Sequence, residues 1–204
     1  MQVAEQNPPI ATQNPQLLSK LRQDFGDNIL AEQHTCDAIP TFWVDRQHLL
    51  NLLQTLKEST SPVFEMLFDI TAIDERLRVH REGQPVSEFT VVYHLMSFSG
   101  NCDFRVKVPL EDRDLCLPTA TSLWPSANWY ERETWDMFGI EFEGHPNLYR
   151  IVLPPTWQGH ALRKEHPARA TEMEPFSLDD DKASVEQEAL KFKPEEWGMK
   201  QKSE

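Results

Sequence analysis

The sequence predicts an α+β domain in two layers, with helices packed on one mixed or antiparallel sheet, followed by an extended C-terminal arm. Three observations carry this. Segments read in the order helix, two strands, helix, three strands. The stretch Asp103 to Leu110 places Phe104, Val106 and Val108 at every second position, as a half-buried strand requires. After Gly144 regular periodicity fades, and prolines stand at positions 146, 154, 155, 167, 175 and 194.

Residues 1–13 are polar and bear Gln and Pro, the composition of a disordered N-terminus. The domain then spans residues 14–143. Asn14 offers an N-cap with Pro15 at the first helical position, Leu17, Leu18, Leu21 and Phe25 follow at helical spacing, and Gly26 is a natural stop. Asn28 to His34 and Ile39 to Val44 read as two strands around a polar turn. Asp45 can cap a second helix, whose apolar face is Leu49, Leu50, Leu52, Leu53 and Leu56. Phe64 to Ile73, Glu88 to Phe98 and Asp103 to Leu110 are strands, the last two joined as a hairpin through Ser99-Gly100-Asn101. Pro118 to Trp124 reads as a short helix ended by Pro125. Asn128 and Glu131 form a capping-box pattern for another, stopped at Gly139. On it Tyr130, Thr134, Met137 and Phe138 share a face, and Arg132 and Asp136 make an i, i+4 pair. Residues 144–204 are expected to be an extended partner-binding arm or linker, ordered largely by lying on something else, with a helical turn or two within Gln187 to Lys193.

A formal net charge of −13 argues against a phosphate backbone as the main partner. The three cysteines, Cys36, Cys102 and Cys116, are widely spaced and form no CxxC clip, so neither a disulfide framework nor a zinc or iron–sulfur site is signalled. No N-terminal segment has a basic end followed by an apolar core, and no apolar run approaches the ~20 residues of a membrane span.

The densest mixture of chemistry lies in NWYERETWDMFGIEFEGHPNLYRI, Asn128 to Ile151. Glu131, Glu133, Asp136, His145, His160 and His166 offer carboxylates and imidazoles for a metal. On one helix, however, Glu131 and Glu133 point about 200° apart and cannot share an ion. No HExxH, GxSxG, GxGxxG or GxxxxGK[ST] pattern occurs in a chain with only seven glycines. Aromatics and arginines interleaved with carboxylates are instead the composition of protein interfaces.

The run Glu131-Arg132-Glu133-Thr134-Trp135-Asp136-Met137-Phe138-Gly139-Ile140, then Phe142, Gly144-His145-Pro146, Arg150-Ile151 and Trp157-Gln158-Gly159-His160-Ala161-Leu162-Arg163-Lys164, closely resembles the signature of the respiratory complex I 30 kDa subunit family. In bacteria this family comprises the C subunit of NADH-quinone oxidoreductase and the N-terminal part of fused C/D polypeptides. Tyr149 stands where that family commonly has Arg, and Ala161 where it usually has Pro. The stretch Ala189 to Lys200 is similar to the linker of fused C/D polypeptides.

The resemblance implies a non-redox subunit of the hydrophilic arm, peripheral on the cytoplasmic side of the bacterial inner membrane. It implies docking on the D subunit, with the B and I subunits as neighbours, and no catalytic, cofactor or metal residue in this chain. FMN, iron–sulfur clusters and quinone belong to the whole complex. The signature residues Glu131, Arg132, Glu133, Asp136, Phe138, Gly139, Gly144, His145, Pro146, Arg150, Trp157, Gly159, His160, Arg163 and Lys164 are then partner-docking candidates. Arg163 in particular has the character of an anchor for a carboxylate across a subunit contact. The equivalent subunit of a membrane-bound hydrogenase and a stand-alone metal-dependent hydrolase are the alternatives.

Overall fold

A computed structural model describes residues 15–80, 83–155 and 157–166. The predicted N-terminal disorder, the Asn14 cap, and the helical turns within Gln187 to Lys193 lie outside the described residues. Helix α1 is Pro15–Phe25 and buries Leu17, Leu21 and Phe25, one face at the predicted spacing. Gly26 opens a 3-10 turn, Gly26–Asn28, instead of closing the helix in a left-handed conformation. Strands β1 (Ile29–Gln33) and β2 (Thr41–Val44) pair antiparallel. Asp45 accepts from the Gln47 N–H and so caps the turn Arg46–His48, which leads into α2, Leu49–Glu58. Leu49, Leu52, Leu53 and Leu56 are fully buried on that helix.

Strands β3 (Met66–Asp74), β4 (Phe89–Ser97) and β5 (Cys102–Leu110) complete a sheet in the order β1-β2-β5-β4-β3. All neighbours are antiparallel except β2 and β5, which run parallel, so the sheet is mixed. Register assigns the faces. Phe89, Val91, Tyr93 and Leu95 lie opposite Leu110, Val108, Val106 and Phe104, and all belong to one core with the inner faces of the helices. The alternate residues form the opposite face, where the Trp43 indole N–H donates to Gln33 (3.1 Å) and the Lys107 ammonium lies over the Trp43 ring. A period of two along the strands and 3.6 along the helices thus suffices to sort this core.

The predicted helix at Pro118 to Trp124 is not formed. Cys116–Pro118 is strand β6, which pairs parallel with β7, Glu141–Glu143. Only a single turn follows, with the Leu123 and Trp124 N–H groups on the Ala120 carbonyl (2.9 and 3.0 Å). A long-range strand pair, invisible to local pattern, claims Pro118, the first residue of the segment. Helix α3 spans Ala127–Phe138. The predicted capping box is also absent. The Asn128 and Trp129 N–H groups reach the carbonyls of Pro125 and Ser126, so preceding backbone does the work of a side-chain cap. The arm shows a larger departure. The described residues of 144–166 hold no helix or strand, as their prolines imply, yet they lie on α3 and the end of β3. The Leu162 N–H donates to the Met137 carbonyl (3.0 Å) and the Lys164 N–H to Asp74 (2.8 Å). What the described part of this stretch lies on is the chain itself.

Candidate functional site

The last four carbonyls of any helix have no partner within it. In α3 all four are answered, and the answers account for Gly139, Arg150, His160 and Arg163 of the signature. Gly139 closes the helix at φ +77°, its N–H on the Trp135 carbonyl (2.8 Å). The Asp136 carbonyl meets His160 Nδ1 (3.0 Å) and the Arg150 guanidinium (3.4 Å). The Met137 carbonyl accepts from Leu162, and the Phe138 carbonyl from Arg163 Nε (2.7 Å). Two arginines at a helix C-terminus also suit the sign of its dipole. Gly139 is required on two counts. A side chain is strained at that φ, and a Cβ there would come within 2.6 Å of His160 Nε2.

The Asp136 carboxylate holds the same segment from the side. One oxygen takes Arg150 (2.5 Å), and the other accepts the successive N–H groups of Ile151, Val152 and Leu153 (3.1, 2.9 and 2.9 Å). Burial pushes this carboxyl up. The three N–H groups and Arg150 outweigh it and hold the group below the usual carboxylate range. The predicted i, i+4 pair is accordingly not made. Asp136 is spent on Arg150, while buried Arg132 donates Nε to the Tyr149 carbonyl (3.2 Å) and lies between the Tyr149 ring (3.6 Å) and the Trp129 ring (4.9 Å). Burial lowers the Arg132 pKa from its ordinary value. Tyr149 therefore supplies an aromatic face to the Arg132 guanidinium.

Glu131 and His145 form the other buried group. The carboxylate accepts from Thr119 Oγ1 and the Ala120 N–H, both at 2.6 Å, tying the loop after β6 to α3. Burial nevertheless raises its pKa to about 7. His145 lies 3.9 Å away, its Nδ1 accepting from the Asn147 N–H (3.0 Å) and its Nε2 against the Asn128 carbonyl (3.2 Å). Those partners define a neutral Nε2–H tautomer, and burial lowers its pKa accordingly.

The remaining candidates do not gather into one site. Phe138 is core, Glu133 and Pro146 are exposed, and Gly144 and Gly159 adopt left-handed turns at φ +79° and +80°. Trp157 packs against His166 with tilted rings, their centroids 5.3 Å apart. Lys164 contributes its backbone N–H, with its side chain exposed. Arg163 meets Asp112 (3.4 Å) and Glu165 (3.3 Å) of its own chain. Among the described residues no three His, Cys, Asp or Glu side chains are grouped as a metal would need, and no helix is long and apolar enough to cross a membrane. Asp74 escapes a reading of the sequence. It binds both Arg76 and the Lys164 N–H, and these partners hold its pKa, against burial, at about 2. Only the Asp-x-Arg spacing hints at it.

The family model for the respiratory-chain NADH dehydrogenase 30 kDa subunit matches residues 42–172. The chain belongs to this family. Among its 30 kDa-subunit relatives, the NADH-quinone oxidoreductase C/D polypeptide of Nitrosospira multiformis is 62% identical over 168 residues, which are 82% of this chain and 28% of that protein. The C/D polypeptide of Methylococcus capsulatus is 53% identical, covering 92% of this chain and 32% of that one, and that of Pseudomonas aeruginosa 51%, covering 97% and 33%. The chain thus spans about a third of the length of these curated relatives. A solved trypsin-resistant fragment of Nqo5 superposes at a TM-score of 0.54 with 30% identity, covering 64% of this chain and 98% of the fragment. A chain of a membrane-bound sulfane sulfur reductase, an archaeal respiratory membrane complex, shares the fold at a TM-score of 0.57 and 24% identity, covering 75% and 86%.

Proposed function

We propose that this chain is a non-redox structural subunit of the hydrophilic arm of a proton-translocating NADH:quinone oxidoreductase. It docks on the quinone-site D polypeptide, with the B and I polypeptides as neighbours, and supports electron transfer from NADH to quinone by holding the arm together. It is peripheral on the cytoplasmic side of the inner membrane, and flavin, iron–sulfur clusters and quinone are held by other subunits. The observation that carries this is the family match over residues 42–172. The site chemistry agrees with a scaffold. Arg150, His160 and Arg163 are engaged in capping α3, and the Asp136 carboxylate holds residues 150–153 against it.

The test is purification through a tag on this chain from detergent-solubilised membranes. NADH:quinone activity and a D polypeptide should co-purify, while the chain expressed alone and washed with chelator should carry neither flavin nor iron. A reproducible equimolar metal on the lone chain, with no D polypeptide in the assembly, would turn the reading to a metal-dependent hydrolase.

A further inference from the structure

Arg132 is the one buried arginine among the described residues, at 2% exposure. It is also the one arginine there that forms no ion pair; every other meets a carboxylate. That inverts the usual order, since a charge taken out of water needs a partner more than an exposed one does. Its Nε donates to the Tyr149 carbonyl (3.2 Å), and its two Nη groups have no acceptor among the described residues. Asp136, one turn further along α3, is committed to Arg150 and the N–H groups of residues 151–153. Burial lowers the Arg132 pKa, and neither Tyr149 nor the Asp136 charge makes up for it.

The surroundings of the guanidinium limit what can complete it. The Tyr149 and Trp129 rings both lie against it, at 3.6 and 4.9 Å, so the three side chains form one patch. With the flat faces covered by rings and Nε in use, the Nη edge remains, the fork that takes a carboxylate in two parallel bonds. Trp129 is the looser cover and is itself 59% exposed, so a swing of its ring opens that edge. A free anion is opposed by the net charge of −13 and would leave the Trp129 ring in water. An acidic side chain on a docked polypeptide covers the ring, and the rest of the contact holds its charge in place. Trp, Tyr and Arg around one buried point are also what the centre of a protein interface is made of.

We propose that Arg132, with Trp129 and Tyr149 against it, is a receptor for an Asp or Glu side chain of a partner polypeptide, which enters edge-on beside Trp129 and completes the ion pair that no described residue supplies. The inference rests on the reading under Proposed function, that the chain works inside an assembly, and it names the chemistry of one contact there.

A photoreactive benzophenone amino acid in place of Trp129, in the intact complex, should yield one predominant adduct, on a stretch of a partner polypeptide that carries an Asp or Glu. Replacing that acid by its amide should lower the yield of assembled complex at least ~10-fold, Arg132→Met should do the same, and the two together should do no more than either alone. The amide variant leaves this chain intact, so it decides the matter even where Arg132→Met fails to fold. An assembled complex without the adduct, an adduct to lipid, a second copy or residues 167–204, or losses that add, overturns the receptor and leaves the function standing. A chain that co-purifies with no partner removes both.

Discussion

Glu131→Gln should make the domain more stable at pH 8 than the parent, and equally stable near pH 4.5. Inside the fold the carboxyl is out of contact with water, and burial raises its pKa from 4.5 to about 7 although Thr119 and Ala120 both donate to it. Below about pH 4.5 folded and unfolded chains both hold the proton, and the stability of the buried acid is fully present. As pH rises through about 7 the folded chain must take on a buried charge that the unfolded chain accommodates in water. At 1.36 kcal/mol per pH unit, the interval from 4.5 to about 7 amounts to about 3 kcal/mol lost across that window. Gln is the neutral mimic. Its carbonyl can accept from the Ala120 N–H, and its amide can donate to Thr119 Oγ1, whose own hydrogen can turn to Thr121 Oγ1, 2.9 Å away. Urea unfolding of the two full-length chains at intervals from pH 4.5 to 8.5 measures the difference. Tyr93 titrates well above this range, and Asp74 and Asp136, with lowered values, below it; they are common to both chains and cancel. A difference that stays flat with pH, or a variant less stable at pH 8, would refute the reasoning.

Asp136→Ala should cost about 3–5 kcal/mol, because it leaves Arg150 and three N–H groups without their acceptor. Hydrogen exchange at Ile151 to Leu153 should rise before exchange in β4, and unchanged protection there would count against the clasp. Gly139→Ala should cost about 1–2 kcal/mol from its positive φ and more from the His160 contact, read as a lowered Tm. Arg163→Ala should destabilise the isolated chain by about 1–3 kcal/mol through loss of its bond to the α3 terminus, and an unchanged denaturation midpoint would restore a role purely between subunits. His145→Gln and His160→Gln should preserve quinone reduction in any complex that assembles, and an assembled, cluster-replete but inactive complex would show that one of them takes part in chemistry.

The regular core was legible because its causes are local and periodic. Leu17, Leu21 and Phe25 in α1, the four leucines of α2, and Phe104, Val106 and Val108 in β5 each mark a buried face by spacing alone. Gly139 marked the end of α3 for a similarly local reason, the rarity of left-handed backbone in other residues. The signature residues could be picked out by type and order, and through them the family. Their roles could not. Glu131 and Asn128 have the spacing of a capping box, yet Glu131 is drawn to Thr119 and Ala120 by the pairing of β6 with β7, a contact between segments far apart in the chain. Arg163 has the chemistry of an interface anchor, and only the tertiary structure shows the Phe138 carbonyl and Asp112 already in reach. The described residues of 144–166 have no periodicity because their order comes from the open end of a helix and the buried carboxylates of Asp136 and Asp74. A pattern along the sequence records which face of an element is apolar; which unpaired carbonyl or carboxylate a distant segment meets is decided only when the chain is folded.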